Sequence, residues 1–148
     1  MRRIATTDDL GVLARLQRDF YAEDAIPHRA EVERALATLL AEPAVGRVIV
    51  EEDHAADTRA IVGYVVMTFG FCLELGGRDA FVDELYVAPS HRRRGLGRAL
   101  LLEGITLATR EGASTVHLEV AAADEAKLRL YESAGFRPRP YPLMTRRT

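Results

Sequence analysis

The chain has 148 residues, enough for one domain (1–148) with a core that needs no disulfide or metal staple. Hydrophobic residues make up 48% and charged residues 28%, an ordinary soluble composition, and 20 Lys plus Arg against 22 Asp plus Glu leave a formal charge of −2, which argues against a general nucleic-acid binder. Cys72 stands alone, so neither an internal disulfide nor a thiolate cluster can form, and His28, His54, His91 and His117 never fall at metal-helix spacing; no metal is expected.

Taken in order, Arg3 to Ala5 reads as a short strand, and Thr7 or Asp8 as the cap of a helix through Val12, Leu13, Leu16 and Phe20. Pro27 breaks that pattern, and a second helix runs from Arg29 to Leu40, stopped by Pro43. Val45 to Glu51 and Ile61 to Phe71 read as strands joined by a polar turn over Asp53 to Arg59. A second turn, Leu73 to Asp79 with Gly76-Gly77, leads into a strand ending at Val87. The amino terminus lacks the apolar core of a signal peptide, and the longest apolar run falls short of the roughly 18 residues of a membrane span, so a cytoplasmic protein without membrane partners is expected.

After that strand come Arg92-Arg93-Arg94-Gly95-Leu96-Gly97-Arg98 and a helix from Leu96 to about Arg110, with Leu100, Leu101, Gly104, Ile105 and Ala108 on one arc and Gly112 as its stop. A strand that turns through glycines into a helix is a place for phosphate. The first turn of a helix leaves backbone N–H groups without partners and carries the positive end of the dipole, and glycine removes the Cβ that would hold a ligand off. The loop is neither a Walker A sequence nor a complete GxGxxG. Thr115 to Val120 then alternates as a strand, parallel to the one before the helix because a crossover helix joins them. Asp124 caps a last helix that Gly135 stops, and Phe136 to Arg146, interrupted by Pro138, Pro140 and Pro142, reads as one or two edge strands.

Arg92-x-x-Gly95-x-Gly97 after Leu85-Tyr86-Val87 resembles motif A of the GCN5-related N-acetyltransferases, the GNAT family, and Leu130-Tyr131-Glu132-Ser133-Ala134-Gly135-Phe136 resembles its motif B. The resemblance covers nearly the whole chain. It implies an α/β (α+β) GNAT fold: a mixed, mostly antiparallel twisted sheet of about six to seven strands, flanked by about four helices, with a parallel splayed strand pair at the cofactor site. It also implies an acetyl-CoA-dependent N-acetyltransferase that releases CoA. In that reading Leu85, Tyr86, Val87 and the loop residues Arg92, Arg93, Arg94, Gly95, Leu96, Gly97 and Arg98 hold the cofactor, with Asp124, Lys127 and Tyr131 from the last helix, and Tyr131 protonates the departing sulfur. Where the family commonly has Asn, Asp124 stands, which can cap a helix but cannot donate an amide N–H.

An amine acceptor must lose a proton first. For a lysine-like amine this costs roughly four to five kcal/mol at neutral pH, so a base or a polar water chain is needed. Glu84 is the first choice, in the strand bordering the cofactor, and Asp83 the second, because a bulge would exchange them; a solvated carboxylate, or one paired with Arg78, explains either residue equally. Tyr21, Glu74, Asp83, Glu84 and His117 are the candidate acceptor-side residues. Their acidity fits a cationic small molecule such as a polyamine, amino sugar or lysine-like amine. An acyl-CoA-binding module without turnover and a protein- or tRNA-directed acetyltransferase stand as alternatives. The edge strands expected after Phe136 are of the kind that pair subunits, which makes a homodimer the expected assembly.

Overall fold

A computed structural model describes residues 1–53, 59–121, 123–141 and 143–148. The described elements are β1 (Arg2–Ile4), α1 (Leu10–Glu23), α2 (Ala30–Ala41), β2 (Gly46–Asp53), β3 (Ala60–Cys72), β4 (Gly77–Val87), α3 (Leu96–Arg110), β5 (Val116–Leu118) and α4 (Glu125–Ser133). The five strands form one sheet in the order β1-β2-β3-β4-β5. Every pair is antiparallel except β4–β5, whose parallel pairing follows from the crossover through α3. This is the expected mixed, mostly antiparallel sheet flanked by helices. Most of the turn expected over Asp53 to Arg59 lies outside the described residues.

Each face of the sheet has its own apolar layer. Leu13 and Ala14 of α1 and Leu36 of α2 pack on Val48, Val50, Tyr64, Val66 and Tyr86. On the other face, Leu100, Leu101 and Ala108 of α3 cover Ile49, Val65, Met67, Ala80 and Val82, and Leu130 and Tyr131 of α4 join them. Leu100 and Leu101 are fully enclosed, each worth about 1.5–3 kcal/mol of burial. Gly104 is what lets α3 lie so close: a Cβ there would stand 2.8 Å from the Met67 sulfur.

One irregularity in β4 decides where the polar residues go. Glu84 pairs with Val66 and Val82 with Met67, so Asp83 is an extra residue opposite one step of β3, a β-bulge. Without it Ala80, Val82, Glu84 and Tyr86 would share a face. With it, Ala80 and Val82 join the α3 layer while Tyr86 packs in the α1 layer, where Glu84 takes its hydrogen bonds.

Several boundaries differ from expectation. The first helix is entered through a 3₁₀ turn, Thr7–Asp9, capped by Thr6, whose N–H donates to the Asp9 carboxylate at 2.8 Å, rather than by Thr7 or Asp8. The last strand is shorter than Thr115 to Val120, because only Val116–Leu118 find partners on β4. The described residues after Phe136 form no strand, so among the described residues the sheet has five strands rather than six or seven and lacks the edge strands on which a homodimer was expected. Proline there removes the N–H that a ladder requires.

Candidate active site

The β4–β5 pair is where the sheet opens. Its pairing runs only from Ala80–Val116 to Val82–Leu118; beyond this point β4 continues to Val87 with β3 alone beside it. Just past Val87 the chain makes a 3₁₀ turn, Pro89–His91, and then the glycine loop. Arg93 (φ 63°) and Gly95 (φ 78°) both take the left-handed conformation, and Gly95 is the residue from which α3 starts. The glycine is needed at that angle, whereas Arg93 carries the strain of an ordinary side chain there.

This loop fits a pyrophosphate. Among the described residues no protein acceptor takes the N–H groups of Arg93, Arg94, Gly95, Leu96, Gly97 or Arg98, and the first loop-to-helix bond is Ala99 N–H to Gly95 O at 3.0 Å. A Cβ on Gly97 would reach only Val87 Cγ2 at 3.9 Å, so the backbone is open on that side. The side chains of Arg93, Arg94 and Arg98 are exposed and form no ion pair among the described residues. Leu85 and Val87 pack on the α3 side of β4 and Tyr86 on the α1 side, so the three fix the strand end from both faces.

Arg92 behaves differently from its neighbours. Its Nε donates to Val87 O at 2.7 Å, its Nη2 donates to both Glu23 carboxylate oxygens at 2.9 and 2.7 Å, and its guanidinium lies 5.4 Å from the Tyr86 ring centre. The side chain is therefore engaged at the end of α1, and the Arg92 N–H donates to Pro89 O at 3.3 Å. Tyr86 Oη also donates to Glu23, at 3.1 Å, and burial first, then this carboxylate, pushes the phenol up to about 12.

From α4, Tyr131 is half-buried, its ring edge-on to Phe136 at 6.1 Å, and its hydroxyl has no hydrogen-bond partner among the described residues. Burial raises its pKa, against the opposing pull of the Lys127 charge. Asp124 caps the helix by accepting from Lys127 N at 3.0 Å. Lys127 Nζ lies 3.3 Å from Asp124 and 3.4 Å from Asp24, so it bridges α4 to the turn after α1. Burial pulls its pKa down, and these carboxylates more than reverse that.

On the acceptor side the structure brings together Tyr21, Asp83 and Glu84. Glu84 is only 7% exposed, and its carboxylate accepts from Tyr21 Oη (2.7 Å), Gln17 Nε2 (2.9 Å) and Tyr64 Oη (2.8 Å), with no cation paired to it among the described residues. Burial, then the Glu84 carboxylate, raises the pKa of Tyr21; for Tyr64 burial also leads, followed by the same charge. Asp83, beside it on the bulge, still reaches solvent although crowded by protein. Its pKa is raised, first by that burial and then by the negative charges of Glu84 and Glu119. Glu119, just beyond β5, is near enough for its charge to add to that of Glu84 on Asp83.

Two expected acceptor residues lie apart. His117 Nε2 is 3.6 Å from Asp79 and its ring is 6.4 Å from Phe81, at the last paired stretch before the strands part. Glu74 sits in the exposed β3–β4 turn, 3.6 Å from Arg139. Between Gly77 and Glu84 the strand rises about 23 Å, at roughly 3.3 Å per residue, so Glu74 does not join the group. Arg78 pairs with neither Asp83 nor Glu84; it stacks on Phe69 at 4.5 Å. Gln17 and Tyr64, the remaining donors to Glu84, carry no motif that would single them out in the sequence.

A parallel strand pair that parts beside a loop of open amides defines an acetyltransferase-type fold, and the comparisons with known proteins agree. Residues 11–136 match the Acetyltransferase (GNAT) family, and the chain belongs to that family. It is similar to the [Ribosomal protein bS18]-alanine N-acetyltransferase of Escherichia coli (strain K12), 43% identical over 58 residues, 39% of each chain. It is also similar to the mycothiol acetyltransferase of Thermobispora bispora, 42% identical over 74 residues, 48% of this chain and 25% of that one. The matched stretches thus span well under half the length of these curated relatives. Over the full fold it superposes on an integron cassette protein from the mobile metagenome of Cole Harbour salt marsh, with TM-score 0.85 and 31% identity over 99% of this chain and 89% of that one. A putative acetyltransferase from Arthrobacter sp. FB24 superposes with TM-score 0.81 and 27% identity, over 100% of this chain and 96% of that one. Among the described residues no helix is long and apolar enough to cross a membrane.

Proposed function

We propose that this chain is an N-acetyltransferase that moves the acetyl group of acetyl-CoA to a primary amine on a cationic small molecule. The observation that supports the reading is the loop of unpartnered amides that follows β4 where β4 runs past its parallel partner β5, together with the unengaged Tyr131 hydroxyl of α4 and the acidic group of Asp83, Glu84 and Glu119. Acetyl-CoA supplies an activated thioester when bound. The amides of Arg93 to Arg98 hold its phosphates, with Arg93, Arg94 and Arg98 adding charge.

The proton inventory falls to this chain's own groups. Glu84 is enclosed and already holds three donors, so it serves best by fixing Tyr21 and setting a negative field. Asp83 reaches solvent and has a raised pKa, and a carboxylate nearer to neutral is a better partner for an ammonium proton; we assign it the base, directly or through water. Asp83 would take the ammonium proton before attack; as the neutral nitrogen then bonds to the acetyl carbon and the carbon–sulfur bond breaks, the Tyr131 hydroxyl would give its proton to the departing sulfur, and the second proton shed by the nitrogen would pass through water to restore Tyr131.

A protein acceptor is the second reading. It is favoured by the name of the E. coli relative, which acts on an alanine of a ribosomal protein. The first test is thermal unfolding with acetyl-CoA, CoA and ATP, since a ligand bound only by the native state raises its stability. A shift with the first two and not with ATP is expected. Thiol release is then followed over polyamines, amino sugars, lysine derivatives and a peptide beginning with alanine. Turnover confined to the peptide would displace the small-molecule reading, and no shift with either CoA species would overturn the assignment of the loop.

A further inference from the structure

We infer that Glu23 is a positioning residue for the phosphate loop. This rests on the cofactor reading above and adds a part of the chain that no motif includes. Glu23 is the last residue of α1, on the acceptor layer. Its carboxylate nonetheless collects Arg92 Nη2 at 2.7 and 2.9 Å and Tyr86 Oη at 3.1 Å. The same guanidinium donates through Nε to Val87 O, so one planar group ties the end of α1, the end of β4 and the first residue of the loop into a fixed triangle.

The need for such a brace is local. The residue after Arg92 has φ 63°, a costly angle for an arginine, and the next turn depends on Gly95 at φ 78°. A loop under that strain holds its shape only where its ends are pinned, and its open amides bind phosphate well only if they already converge. Arg92 pins the entry and α3 pins the exit. Glu23 orients Arg92, because without the carboxylate the guanidinium keeps only the Val87 carbonyl and the Tyr86 ring. The turn after α1 is held a second time by Lys127 to Asp24 at 3.4 Å, so α4 is anchored to the same turn.

The prediction separates the phosphates from the rest of the cofactor. Glu23→Gln keeps the size of the side chain and removes its charge. It weakens CoA binding by about fivefold, the scale of one partly exposed ion pair with good geometry, and leaves the kcat/KM for acetyl-pantetheine, which lacks the pyrophosphate, within about twofold. Glu23→Asp, which retains the charge, recovers part of the CoA affinity. CoA affinity is read by calorimetry, and thermal unfolding without ligand checks that each variant is folded; Arg92→Gln provides a second route and should add little to Glu23→Gln when combined with it. Equal CoA affinity in the wild type and Glu23→Gln, or an equal loss for CoA and acetyl-pantetheine, overturns the positioning role while leaving the acetyltransferase reading intact. No CoA binding by the wild type overturns both.

Discussion

Tyr64→Phe is a direct test of how the acceptor layer is held. Tyr64 is 1% exposed, and its hydroxyl donates to Glu84 Oε2 at 2.8 Å, while Gln17 and Tyr21 both serve Oε1. Removing that hydroxyl leaves a buried carboxylate oxygen with no donor among the described residues. A hydrogen bond to a charged group contributes about 1.5–3 kcal/mol, so the variant should lose about 2–3 kcal/mol. With a urea dependence of about 1.5 kcal/mol/M, the unfolding midpoint at pH 7 falls by about 1.3–2 M. Tyr21→Phe removes a bond of similar length but at a half-buried position where water can substitute, and should cost about 1 kcal/mol. Adding Glu84→Gln to Tyr64→Phe should recover part of the loss, since a neutral amide asks less of its surroundings. The reasoning is refuted if Tyr64→Phe costs under about 0.5 kcal/mol, or if Tyr21→Phe costs more than Tyr64→Phe.

Tyr131→Phe should lower kcat by about a hundredfold or more while CoA affinity stays within about twofold, by steady-state kinetics and calorimetry; unchanged turnover would remove it as the proton donor. Asp83 has a folded pKa above its unfolded value, so the stability it contributes is present below the unfolded pKa and is lost as pH rises through the folded one; Asp83→Asn should be the more stable protein at pH 7, with the gap closing in acid, as a melting series from pH 3 to 8 would show. Asp9 is the opposite case. The hydrogen bond from Arg3 lowers its pKa, with the Thr6 N–H assisting against burial, so its stabilisation is present above the unfolded pKa and is lost as pH falls through the folded one; Asp9→Asn should cost about 1–3 kcal/mol at pH 7 and little in acid. Gly46→Ala should prevent stable folding, because its Cβ would run into the Met67 carbonyl oxygen, whereas Gly95→Ala meets no atom within 4 Å and should cost only about 1–2 kcal/mol for its left-handed angle, both read by denaturant unfolding.

Much of the fold was legible because the signals were local. The strand–glycine–helix order around Gly95 and Gly97, the apolar arc of α3 and the Asp124 cap each lie within a few residues, and the parallel β4–β5 pair follows from the crossover. The bulge at Asp83 was not legible, since Ala80 to Val87 can alternate with either phase and only the partners on β3 decide which residue is extra. The C-terminal strands failed for the reason the prolines already stated. At the site, Tyr21 could be placed near Glu84 by resemblance, but Gln17 and Tyr64 reach it from separate elements and leave no mark of spacing. Glu23 lies in no motif, and its partner Arg92 is 69 positions away in the sequence, so their pairing leaves no local mark.

The bulge also has an evolutionary consequence. Because β4 changes faces at Asp83, the residues that back the glycine loop and those that back the acceptor opening belong to different apolar layers, one around Leu100, Leu101 and Met67, the other around Tyr64, Tyr86 and Leu13. Substitutions in one layer meet few atoms of the other, so their effects should combine nearly independently. A lineage carrying this sheet can drift toward new acceptors by repacking α1 and α2 while the layer beneath the loop stays as it is. Loss of the single extra residue would end that freedom, since half the strand would then turn its side chains to the wrong layer.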